Sequence, residues 1–139
     1  MKDALGQEVQ PGDFIIYSRS KKFKLAVVTE LFQNDSIDTL RPEFTSDRHW
    51  NAVTRVWDIQ QRKVSFCKQK LQKGLFVKVD PNTHLTIDIQ DKRYWWPAYA
   101  DKQSPEYFHG LQTQIQLFEY IRQNHQNKKL KIPQHLKNL

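Results

Sequence analysis

Two neighbouring runs, "DFIIYSR" (13–19) and "KLAVVTELF" (24–32), constrain the fold most. Both are rich in apolar and β-forming residues, and the first follows a Pro-Gly turn, so they read as successive strands. Further runs of the same kind follow: "IDTL" (37–40), "WNAVTRVWD" (50–58), "KVSFCK" (63–68), "GLFVKVD" (74–80) and "HLTIDI" (84–89). The polar "QNDS" before Ile37 and "DPN" at 80–82 supply turns between them. Within 74–80, Leu75, Val77 and Val79 alternate with Phe76 and Lys78, the period of a strand with one wetter face. Several short strands with short turns predict a mainly β fold, a small antiparallel barrel or sandwich. Closing a barrel would also remove the open edges that invite aggregation.

Residues 104–125 change period. Ser104 suits an N-cap, Pro105 the first helical position, and Glu106 the positive end of the helix dipole. Leu111, Ile115, Phe118 and Ile121 recur at steps of three and four, with the helix strongest over 111–124 because Gly110 weakens its start. Leu117 and Tyr120 widen the apolar stripe, which predicts docking on the barrel. The basic "NKKLKIPQHLKNL" beyond it contains Pro133, which ends any helix by Ile132 and leaves an extended tail. The expected organisation is a barrel over 1–90, then an aromatic linker, amphipathic helix and basic tail over 91–139.

The opening "VQPGDFIIYSRSKKFKLAVVTELF" (9–32) resembles an SH3-like barrel of the KOW or Tudor type. Val9, Gly12, Asp13 and Ile15 match a V-x-x-G-D-x-V first strand. Similar openings occur in small proteins of tailed bacteriophages, some of which bind DNA. The resemblance implies an SH3-like antiparallel barrel. It departs from the KOW pattern at Lys24–Val28, where the second strand carries no glycine. A Tudor-type cage for methylated cations would draw on Tyr17, Phe23 and Trp50.

Charge points to the partner. Twenty-two Lys and Arg against fifteen Asp and Glu leave a formal +7, which favours polyanions, nucleic acid before an anionic membrane surface. The cations cluster. From Ile59 to Val79 there is no acid, while Arg62, Lys63, Lys68, Lys70, Lys73 and Lys78 are basic. "KQKLQK" reads as a loop carrying Lys68, Lys70 and Lys73, and "RSKKFK" as a hairpin loop with Arg19, Lys21, Lys22 and Lys24. A third group, Lys128, Lys129, Lys131 and Lys137, lies in the tail. Basic loops on a small barrel grip phosphates without reading bases, which predicts binding of DNA (or RNA) that weakens with salt. The plain alternative is solvated lysines on a soluble protein.

"DKRYWWPAY" (91–99) allows two readings. Tyr94, Trp95, Trp96 and Tyr99 beside Lys92 and Arg93 form either a stacking surface for bases or a hydrophobic plug at the joint between barrel and helix. The same residues would anchor a protein partner, such as a host protein, in a second reading of function. A third, less favoured, is a small nuclease using His49, which sits in "SDRHW" beside Asp47 and Arg48. His84, His109, His125 and His135 are scattered without metal-ligand spacing. No catalytic residue, cofactor or metal is expected. Cys67 stands alone, so no internal disulfide or cysteine-rich zinc site is possible, and it reads as a small buried residue of a strand. The first residues lack the apolar run of a signal peptide and nothing reaches membrane-spanning length, which predicts a cytoplasmic protein with no membrane partner.

Overall fold

The computed structural model describes residues 1–19, 22–80 and 115–137. Strands β1 (Phe14–Arg19), β2 (Lys22–Leu31), β3 (Ser36–Asn51), β4 (Val56–Gln72) and β5 (Phe76–Lys78) form one sheet in the order β4-β3-β2-β1-β5. Every paired neighbour is antiparallel. Helix α1 is described over 115–123, and a short α2 (Gln134–Lys137) follows it. The mainly β class with a C-terminal helix is the one the sequence predicts.

The two apolar runs form the central pair because the sheet is covered on both faces there. Ile15, Tyr17, Ala26 and Val28 turn to one face, where they meet Val9, Ile37, Leu71 and Phe76. Phe14, Leu25 and Val27 turn to the other, against Phe118 and Ile121 of α1. The Phe14 and Phe118 rings lie 6.0 Å apart in a tilted arrangement. The expected docking of the apolar stripe is therefore observed at Phe118 and Ile121, and Leu117 beside them is also fully buried.

The sheet curls. Tyr17 of β1 and Leu71 of β4 share one cluster although two strands separate β1 from β4. The Arg19 Nη1 donates to Gln69 Oε1 at 2.7 Å across the same gap. Closure into a barrel is not observed, because no ladder joins β4 to β5 among the described residues.

Sequence and structure differ most over 36–72. "IDTL" is only the start of β3, which runs on through "RPEFTSDRHW", and "KVSFCK" is the middle of β4. The segment 50–58 is not one strand but a hairpin, with Asn51 opposite Val56. The Asn51 carbonyl oxygen accepts the Arg55 N–H at 2.8 Å. Its side-chain Oδ1 accepts the Val53 and Thr54 N–H groups at 3.0 and 3.2 Å, so one side chain does the turning. β2 pairs with β3 only as far as Leu40, so β3 residues 41–51 and their β4 partners form a two-stranded ribbon. At about 3.4 Å per residue it is roughly 35 Å long.

Two further expectations change. Leu75 is 61% exposed while Phe76 is buried, the reverse of the wet and dry faces read from alternation. Both sides of the segment 76–79 are used, with Phe76 in one cluster and Val79 against the other. The tail is not wholly extended, since Pro133 precedes the helical turn α2. The expected strand 84–89 and the helix start at 104–114 lie outside the described residues.

Candidate nucleic-acid interface

Among the described residues β4 is an edge strand, and beyond Asp58 it carries no acid. Arg62 and Lys63 stand opposite Ser46 and Thr45, Lys68 opposite Leu40 and Lys70 opposite Asp38. Lys68 and Lys70 therefore belong to the strand rather than to the loop expected from "KQKLQK". A run of long flexible side chains next to a turn resembles a loop in sequence, and only the ladder to β3 reveals the pairing. Lys73 does sit in the turn, its N–H donating to the Asp35 carbonyl at 2.8 Å. All three lysines are exposed. Residues i and i+2 share a strand face, so Lys68 and Lys70 fall on the side of Phe66, the side that α1 covers farther in. The Lys70 ammonium lies 4.6 Å from the Phe32 ring centre, a cation–π contact that leaves its charge uncancelled.

The "RSKKFK" cations are likewise in strands. Arg19 ends β1 opposite Lys22, and Lys24 of β2 faces Tyr17. Lys21 lies outside the described residues. Arg19 reaches Gln69, the residue between Lys68 and Lys70, so two distant parts of the chain meet at one short piece of β4. Here the structure brings together what the sequence left apart. Among the described residues no carboxylate forms an ion pair with Arg19, Lys68, Lys70 or Lys73. Other cations are engaged: Lys78 lies 3.3 Å from Asp13 and Lys128 3.6 Å from Glu30.

A groove of about 210 Å³ borders the same region, with Leu40, Phe66, Lys68, His125 and Leu130 among its lining residues. Glu30 and Asp38 also line it, so its charge is mixed. His125 is placed by its Nδ1, 2.8 Å from the Arg122 carbonyl, and by close approach to Gly12. A β-carbon on Gly12 would lie 3.1 Å from the His125 ring, and the residue has a φ of 95°. Glycine is thus required in the "PGD" opening on two counts.

Beneath the basic edge lies a buried cation. Arg41 Nε donates to the Tyr17 hydroxyl at 3.1 Å, with Glu43 at 3.9 Å. Burial pushes the Tyr17 hydroxyl up, so it stays neutral. Burial is the largest single influence on Arg41 and would lower it, but the hydrogen bond to Tyr17 and the neighbouring groups, Glu43 among them, together outweigh it, and the guanidinium keeps its charge. Tyr17, only 3% exposed, is consequently not available to a surface cage with Phe23 and Trp50.

Lys92, Arg93, Tyr94, Trp95, Trp96 and Tyr99 lie outside the described residues, as do His84 and His109. His49 is exposed on β3, opposite Asp58. Cys67 is half-buried in β4 and opposite Arg41. Among the described residues no three His, Cys, Asp or Glu side chains gather as metal ligands would, and no helix is long and apolar enough to cross a membrane. Comparison with protein-family models, with curated proteins and with solved structures found no match for the chain.

Proposed function

We propose that the protein binds duplex DNA without catalysis, by neutralising the phosphate backbone along β4. The observation that carries this reading is that Lys68, Lys70 and Lys73 are exposed and form no ion pair among the described residues, at the end of a strand free of acid beyond Asp58 that Arg19 reaches at Gln69 from its other face. Exposed ammonium groups spaced along a strand suit a row of phosphates, and each contact releases counterions. Backbone contact fixes position without reading sequence, so affinity varies little between duplexes. Single-stranded DNA or RNA presents the same phosphates and is bound by the same groups. The relation to KOW or Tudor-type barrels of small phage proteins, and a place in the cytoplasm, belong to the same proposal.

The test is a binding titration with the Lys68→Gln/Lys70→Gln/Lys73→Gln variant. Loss of three phosphate contacts lowers affinity on every duplex and reduces the slope of log K against log salt by about 0.9 per contact. Unchanged affinity and slope at low salt would remove the reading.

A further inference from the structure

The far end of the β3–β4 ribbon holds apolar side chains in water. Val53 is 92% exposed, Val56 51% and Trp50 46%. The tip is nonetheless well braced. Three N–H groups of its loop donate to Asn51, and Arg55 takes a φ of 58°, a conformation that β-carbon sterics disfavour. A loop so constrained presents Val53 in one position rather than many. Arg55 at the tip is exposed, and Arg48, Arg62 and Lys63 stand along the two strands toward Lys68. Of the ribbon's three acids, Asp58 stands opposite His49, Asp47 opposite Gln61 and Glu43 opposite Ser65, with Glu43 within 3.9 Å of Arg41.

A two-stranded ribbon is narrow enough to enter a groove of duplex DNA. Proteins that bend DNA combine cations on the backbone with apolar side chains pushed against a base step, which partly unstacks it. We infer that the ribbon tip is such a wedge: β4 runs along the phosphates, and Val53 and Val56 lie against a base step and bend the duplex. This rests on the phosphate-binding reading of β4 and adds a distinct consequence, a change of DNA shape. The occupant follows from charge continuity, since the basic strand leads from the body of the protein to the apolar end.

The experiment uses the full chain and a duplex of about 30 base pairs carrying a fluorophore at each end, followed by energy transfer. The bound wild type shortens the end-to-end distance, in keeping with a bend of roughly 20–90°. In the Val53→Ser/Val56→Thr variant the bend is lost while the salt slope stays that of the wild type. Exposed positions changed to small hydroxyl residues leave the core untouched, and a circular dichroism melt checks this. Wild type that binds straight DNA, or a variant that bends it fully, overturns the wedge and leaves the phosphate reading standing. Absence of wild-type binding at low salt overturns both. Self-association in sedimentation that the variant abolishes would assign the tip to a second copy of the chain and overturn the wedge.

Discussion

Asp3 shows how much one side chain near the N-terminus does for this fold. Its carboxylate accepts the Lys78 N–H at 2.7 Å, the Gln7 N–H at 2.8 Å, the Leu5 N–H at 2.9 Å and the Gln7 side-chain amide at 2.9 Å. It thereby fastens the first turn to β5. Burial would raise its pKa, but these donors together hold the carboxyl below its ordinary value. A depressed folded-state pKa means that the stability is present above the unfolded value, about 4, and is lost as pH falls through the folded value. Asp3→Asn therefore unfolds more easily than wild type at pH 7, by about 1–3 kcal/mol. Its stability also falls less between pH 5 and pH 2, and urea titrations at a series of pH values check both. Equal pH dependence of the two proteins would refute this role.

Among the elements, α1 owes its place to Phe118 and Ile121, which close one face of the central strands. Phe118→Ala removes a fully buried ring packed on Phe14 and should cost about 3–5 kcal/mol in denaturant unfolding. A loss below 1 kcal/mol would mean that the helix is not part of the cooperative core. This element was legible in the sequence, since steps of three and four turn apolar residues to one side. The β1 and β2 runs were legible too, because strands covered on both faces read as continuous apolar stretches. The β3–β4 ribbon was not. Pro42 and the charges of "RPEFTSDRH" resemble a loop, and Pro42 is tolerated because β3 has passed its last β2 partner at Leu40. "WNAVTRVWD" reads as one strand because Trp, Val and Thr favour strands, while its turn depends on Asn51 hydrogen bonds that leave little mark on composition. The acid-free run from Ile59 to Val79 was visible, but its place on a sheet edge required the ladder. That edge also gives the lysines a second task, since charged side chains discourage pairing with another chain's strand.

At the scale of the molecule, the described residues form a curled sheet with a helix on one face and a ribbon extending from it. Its candidate site is made by topology: Arg19 and Gln69 lie far apart in sequence and meet only because β1 curls toward β4. The most direct measurement is an amide-resolved NMR titration of the full chain with a short duplex at low salt. Shift changes should concentrate on residues 59–73 and on Arg19, with others at the ribbon tip around Val53, and should fade as salt is added. Binding that leaves β4 unperturbed, or no binding at all, would contradict the account.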